Sequence, residues 1–422
     1  MLLLTILPDQ SFYQLRSGEA ASKANLNALL IAGKIKQMTR LYIDVETLVL
    51  DHFSGVGHYT LGVTKALDKL APSYPGLEIN LVVLSAAKNR LDKYGFKNLK
   101  VKDIPINNDV FNIGKVNNAL PHMDLLIGKG IYFFPHFVTW PLKYSRSITT
   151  IHDLAFEQTP QFVEDSHARF LHEAVKYTAK NADYIAAVTS CMKEVITDFY
   201  KLDSNKIIVT NNAVDTNNFH KESQLKINRV KKKYGINGNY ILCVGNIEPR
   251  KNQEIILKAF TELPSSLTDG YTILLVGAGG WKNDNLYKLI DKLSAKNVNT
   301  QVLENKVPDK DMPAIYCGAM VSVNPSFYEG FGMPTVEAMA CRTPVVVSDI
   351  PVMREVAGKN AIFVDHTDVQ SVAEGIRQSL TLNRDERQAM TEKNFLKATA
   401  YTWENSARTL LHAVQNLSQR PQ

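Results

Sequence analysis

Residues 322–349 read SVNPSFYEGFGMPTVEAMACRTPVVVSD, and the order of residue types in this stretch decides how the chain folds. An apolar run ends near Asn324, and a loop follows that carries Glu329-Gly330-Phe331-Gly332. Pro334 then stands where a helix begins, good helix formers continue to about Cys341, and TPVVVSD reads as the next strand. Strand, glycine loop, helix and strand in that order form the repeating unit of a parallel α/β sheet. Ligands of such sheets bind beyond the carboxyl ends of the strands, where helix N-termini present unpaired N–H groups. Gly330 and Gly332 admit a ligand close to the backbone, and the positive end of the helix suits a diphosphate without a metal. Glu329 lies on the loop and Glu337 in the first helical turns. Two carboxylates so placed can accept hydrogen bonds from two hydroxyl clusters, such as a sugar and a ribose. The plainer alternative is a turn residue at 329 and a dipole-complementing one at 337.

The same pattern extends outward in both directions. Upstream, LYIDVETLVL after Met38 and the runs at 79–84, 124–127, 147–151, 184–188 and 206–210 read as strands, with helical stretches such as 167–181 and 190–200 between them. After a polar, Lys-rich stretch at 216–238, strands are predicted at 240–245, 272–277, 299–303, 320–324, 344–348 and 361–364. The expected architecture is therefore α/β with two Rossmann-like parallel sheets in tandem. Residues 1–38 form a poorly structured extension, 39–215 a first domain, 216–400 a second, and 401–422 a terminal amphipathic helix returning to the first.

Composition narrows the class. With 422 residues, 45% hydrophobic and 21% charged, the chain is long enough for two cores and too apolar to be mainly disordered. The opening MLLLTIL breaks at Pro8, short of a bilayer span. The four cysteines lack paired spacing, which argues against a disulfide framework or zinc site and for a reducing cytosol. The net charge of +6 is mild, and its basic residues are interleaved with acids. It suits anionic lipid surfaces, phosphorylated substrates or nucleic acid alike; the partner expected is the inner face of the cytoplasmic membrane, with no nucleic acid.

Three further clusters follow strands. Gly245-Asn246-Ile247-Glu248-Pro249-Arg250-Lys251-Asn252 sets two cations where they can neutralise phosphates. Ser54-Gly55-Val56-Gly57-His58-Tyr59 offers small residues before a helix. His152-Asp153 ends the strand SITTI, where the imidazole can meet a substrate hydroxyl with Asp153 orienting it. The aromatic stretch IYFFPHFVTWPL at 131–142 is either an acceptor platform or a buried strand and loop. Asp309-Lys310-Asp311 reads as a helix start rather than a metal motif, and Gly277-Ala278-Gly279-Gly280 lacks the third glycine of a dinucleotide fingerprint.

Taken in order, SGVGHYT, HDL, AVTS, NNAVD, GNIEPRKN, LLVGAGG, YEGFGMPTVEAMAC and TPVVVSD resemble the retaining glycosyltransferases of family 4, with the GT-B fold. Within that family the chain resembles the mannosyltransferase-like branch that builds bacterial surface polysaccharides. The resemblance spans about residues 40–410. It implies a nucleotide-sugar donor, GDP- or UDP-linked, in the second domain and a glycan or polyprenyl-linked acceptor in the first. No cofactor and no metal are implied. Lys251 and Arg250 would bind the diphosphate, Glu329 the donor sugar and Glu337 the ribose. Backbone at Gly330, Phe331 and Gly332 would meet phosphate and sugar. Gly55 and Gly57 would approach the diphosphate from the other domain, and His152 would lie near the transferred sugar. Asn246 stands where many relatives have Arg, and Arg342 where they usually have Gly. The alternatives are a non-catalytic binding protein of the same fold and a nucleotide-sugar 2-epimerase. A glycoside hydrolase is disfavoured by the phosphate-binding apparatus.

Overall fold

A computed structural model of the protein describes residues 38–50, 55–116 and 119–420. The expected extension at residues 1–37 lies outside them. The first lobe holds a seven-stranded sheet of order β3-β2-β1-β4-β5-β6-β7. Its strands are β1 Thr39–Asp44, β2 Leu77–Leu84, β3 Lys100–Ile104, β4 Ile131–Phe134, β5 Arg146–Ile151, β6 Tyr184–Ala187 and β7 Ile207–Val209. The second lobe holds six strands of order β10-β9-β8-β11-β12-β13. They are β8 Asn239–Val244, β9 Tyr271–Gly277, β10 Thr300–Glu304, β11 Val321–Asn324, β12 Val345–Ser348 and β13 Ile362–Val364. The strand pairs within both sheets are parallel. Strand order reverses between β1 and β4 in one lobe and between β8 and β11 in the other, which opens a crevice in each sheet.

The central strands are buried on both faces, as near-continuous runs such as YILCV and VVVS require. Two elements differ from expectation. Residues 124–127 belong to a short helix, Met123–Ile127, not a strand. Leu125 and Leu126 point to solvent, and the Asp124 carboxylate accepts the backbone N–H groups of Lys143 and Tyr144 at 2.9 and 2.7 Å, which fixes the turn. The strand in this region is instead β4. β3, at a sheet edge, alternates lysines with apolar residues and carries no apolar run to announce it.

The lobes touch closely. The final helix, Trp403–Gln419, lies on the first-lobe helix Gly55–Leu70, where Gly62 makes room for the Trp403 indole: a Cβ there would stand 2.2 Å from the ring. The Glu355 carboxylate of the second lobe accepts the N–H groups of Ser190 and Cys191, both at 2.8 Å, at the start of the first-lobe helix Ser190–Tyr200. It complements the positive end of that helix. Among the described residues no helix is long and apolar enough to cross a membrane.

Candidate active site

The second lobe's crevice is built by the loops after β8 and β11. After β8, Gly245 has φ 147°, a conformation only glycine holds readily, and lies beneath the Lys251 stem. Lys251 closes a short 3-10 turn, Pro249–Lys251, after which Asn252 takes a left-handed φ of 54°. The Asn252 amide donates to the carbonyls of Pro325 and His366, and the Phe327 N–H donates to the Arg250 carbonyl at 2.9 Å. These bonds lock the two loops in one register.

That register brings Lys251 Nζ to 2.5 Å from Glu329 Oε1, while Arg250 Nη1 stands 3.5 Å from Glu329 Oε2. Arg250 also donates to Glu248 Oε1 at 2.7 Å and to the Tyr328 carbonyl at 2.9 Å. Burial alone would push Glu329 up, but the Lys251 and Arg250 charges outweigh it and hold the carboxyl below its usual range. The two cations are matched by Glu248 and Glu329, so the group is balanced without a ligand. Asn246 is exposed on the same loop, and its carbonyl accepts from the Gln253 amide at 2.8 Å.

The helix expected after the glycine loop runs Met333–Ala340, with Gly332 as its N-cap at φ 87°. Gly330 is where the lobes meet: a Cβ on it would lie 2.0 Å from the His152 carbonyl oxygen. Its own carbonyl accepts from Thr189 Oγ1 at 3.2 Å. Phe331 is buried, its ring set edge-on to that of Tyr401. Glu337 sits one helical turn further in. Burial pushes its carboxyl up to about 7, helped by the charge of Asp309 and opposed by the Tyr316 hydroxyl, which donates at 2.7 Å. Asp309 acts across the cleft on His58 as well, where burial lowers the imidazole and Asp309 resists. His58 follows Gly55 and Gly57 at the start of the helix Gly55–Leu70. A Cβ on Gly55 would meet nothing within 4 Å, whereas Gly57 is buried.

His152 is buried at the end of β5 and donates from Nε2 to the Pro135 carbonyl at 2.9 Å. Burial drives its pKa down to about 4, so the ring is neutral at pH 7. The expected orienting role of Asp153 is corrected by this geometry: Asp153 Oδ1 instead accepts the Ala155 N–H at 3.0 Å. Of the two readings of 131–142, the buried strand and loop is the one found. Phe134 and Trp140 pack with Phe111 in the core, and His136 is held by Asp44 at 2.5 Å and buried. Asp44, Glu46 and His136 form a cluster with metal-ligand atom types at the β1/β4 crevice. Its atoms are spoken for, since the Asp44 carboxylate also takes the Glu46 N–H and His136 Nδ1 the Val138 N–H.

The other motifs resolve structurally. Asp311 stands at the N-cap position of the helix Met312–Gly318, and its carboxylate accepts from Lys233 and Tyr234 instead of from the helix. The glycines at 277–280 let the loop after β9 press on the loop after β8, since a Cβ at Gly277 would stand 1.8 Å from the Gly245 oxygen. Arg342 adopts φ 58° without being glycine, and its guanidinium pairs with Glu392 at 2.9 Å and lies 3.9 Å from the Phe395 ring centroid. Sequence reasoning missed Glu248, Tyr316 and Asp309. Glu248 stood in a motif read only for its cations and Asp309 in one read as a helix start, whereas Tyr316 reaches the site through tertiary packing that no local pattern announces.

Two parallel-sheet lobes joined across a cleft, with paired cations, two carboxylates and a helix N-terminus at the second crevice, define the GT-B class of glycosyl-transferring enzymes. Residues 54–218 match the family described as Glycosyltransferase Family 4, and residues 226–397 match Glycosyl transferases group 1. O-antigen chain mannosyltransferase B of Escherichia coli is 30% identical over 288 residues, 68% of this chain and 74% of that protein. O-antigen chain mannosyltransferase RfbU of Salmonella typhimurium is 32% identical over 240 residues, 57% of this chain and 62% of that protein. In fold, the chain is similar to Anabaena Alr3699/HepE in complex with UDP and glucose, with a TM-score of 0.63 at 15% identity, covering 90% of this chain and all of that one. The chain belongs to glycosyltransferase family 4 and is a glycosyltransferase enzyme.

Proposed function

We propose that the protein transfers a mannosyl group from a GDP- or UDP-linked donor to a hydroxyl of a glycan or polyprenyl-linked glycan in surface polysaccharide synthesis. Transfer retains the anomeric configuration and needs no metal. The observation that carries this reading is the Lys251–Glu329 pair at the second crevice, flanked by Arg250 and set before a helix N-terminus. When a donor enters, Lys251 and Arg250 turn from Glu329 to the diphosphate, and Glu329 is released to accept the sugar's hydroxyls. Charge building on the departing phosphate is met by two cations and the helix dipole, the largest contribution expected in such a site. Glu337, one turn in, takes the ribose. The acceptor attacks from the face the phosphate leaves, and a phosphate oxygen takes its proton.

The sugar comes from the names of the two O-antigen relatives, and a cytoplasmic site of action at the inner face of the membrane from the four free thiols and the mild positive charge. The test is a thermal-shift screen across GDP-, UDP-, ADP- and dTDP-sugars, followed by turnover with and without EDTA. A shift with GDP-mannose or its UDP counterpart and EDTA-insensitive transfer are expected. Loss of turnover on chelation would overturn the metal-free mechanism, and donor conversion without an acceptor would point to epimerisation.

A further inference from the structure

A second cavity, of about 470 Å³, is lined by Glu248, Asn252, Phe327 and His366 from the second lobe and by Phe162 from the first. Glu248 is 2% exposed, and only its Oε1 is used, by Arg250; its Oε2 is buried without a hydrogen-bond partner. An unmet carboxylate oxygen in a closed place costs about 1 to 3 kcal/mol, so its presence marks a missing donor. The walls say which kind. Phe162 and Phe327 stack with centroids 4.7 Å apart, and His366 stands edge-on to Phe327 at 5.4 Å. The two lysines at the rim are engaged. Lys258 pairs with Glu254 at 3.4 Å, and Lys282 donates to the Val163 carbonyl at 3.2 Å. An anion would stand against the Glu248 carboxylate, and a cation finds that carboxylate already paired with Arg250. What remains is a neutral O–H donor with an apolar face to lay against aromatic rings, which describes a pyranose. The size lies in the range of small-molecule sites, with room for a short stretch of glycan.

We propose that this cavity is a glycan subsite that holds a sugar unit of the acceptor chain away from the reacting hydroxyl, with a hydroxyl donating to Glu248 Oε2. The inference rests on the transferase reading above and adds the place where an extended acceptor is gripped. Because Phe162 belongs to one lobe and Glu248 to the other, the subsite is complete only with the lobes together. The Trp281 indole N–H holds the Phe162 carbonyl at 2.7 Å, so the aromatic wall is fixed through backbone that a side-chain change leaves intact.

The experiment uses the full chain, with α-linked mannobiose and mannotriose as probes in saturation-transfer NMR, in the presence and absence of saturating GDP and UDP. The expected result is oligosaccharide binding that nucleotide does not displace and that weakens about tenfold or more in Phe162→Ala, with the nucleotide thermal shift unchanged. His366→Ala, on the opposite wall, gives the same loss and serves if Phe162→Ala does not fold. With an oligosaccharide acceptor the loss appears in KM, and with methyl mannoside it does not. The subsite is overturned if neither oligosaccharide binds, if nucleotide displaces them, or if both variants bind as well as the parent. Failure of the transferase reading looks different: no nucleotide sugar shifts the melting temperature or turns over, whatever the oligosaccharides do.

Discussion

Two carboxylates eight residues apart in one loop and helix live in opposite electrostatic worlds. Glu329, on the loop, is buried between two cations and stays ionised. Glu337, on the helix, is enclosed with a tyrosine hydroxyl and another acid nearby, and its pKa rises to about 7. Burial penalises both. What separates them is that Lys251 and Arg250 reach the loop, while among the described residues no cation is paired with the helical one. In the proposed reaction the two would differ accordingly: Glu329 would give up its cations to a diphosphate, while Glu337, shared between its two protonation states near pH 7, would meet a ribose as the carboxylate.

Removing a cation breaks the comparison most sharply. Lys251→Met is expected to lower kcat about 10²- to 10³-fold, as for loss of one preorganised donor to developing charge. The same change leaves Glu329 buried with Arg250 alone and should destabilise the fold by about 3 kcal/mol. Adding Glu329→Gln to Lys251→Met removes the uncompensated charge and should restore much of that stability, though not activity. Denaturant titration of the two single variants and the double measures this coupling. Simple additivity of the two losses would mean that Glu329 does not depend on Lys251.

Glu337 gives the converse. Below pH 4.5 both native and unfolded chains carry its proton. Between 4.5 and about 7 the unfolded chain releases it and the native one does not, so stability falls across that window and is level above it. Glu337→Gln removes this loss and keeps an oxygen for the Tyr316 hydroxyl. The variant should be more stable than the parent by about 2 to 3 kcal/mol at pH 8 and no different near pH 4, read from unfolding curves at both values. Nucleotide affinity should move the other way. In the parent it rises with pH through about 7 as the carboxylate forms, and in the variant it is weaker and flat, which calorimetry at pH 6 and pH 8 distinguishes.

The sequence carried the frame of this site because the frame is made of local rules. A strand, two glycines and a proline fixed where the helix Met333–Ala340 begins, and strand ends fixed where Lys251 and Glu329 emerge. What stayed illegible was made by distance. That Pro135 and not Asp153 holds His152, or that the aromatic residues of 131–142 turn into the core, depends on which strands become neighbours, and β4 lies between β1 and β5. The run at 124–127 misled because four apolar-rich residues fit a strand or a buried helix equally well.

The smallest effect concerns how the helix that carries Glu337 ends. Arg342 occupies a left-handed position that costs a residue with a Cβ about 1 kcal/mol or more relative to glycine. It recovers part of this through a half-exposed ion pair with Glu392 and stacking on Phe395. Arg342→Gly therefore exchanges one gain for another, and its net change should stay within about 1 kcal/mol. Glu392→Gln removes only the ion pair, so it should destabilise slightly at low salt and by nothing measurable at high salt. Neither change touches Glu337, so both variants should keep the parent's pH-dependent nucleotide affinity. A shift in that profile on Arg342→Gly would mean that the helix end and the carboxylate move together, and that the contrast between the two glutamates is set by the placement of the helix as much as by the cations on the loop.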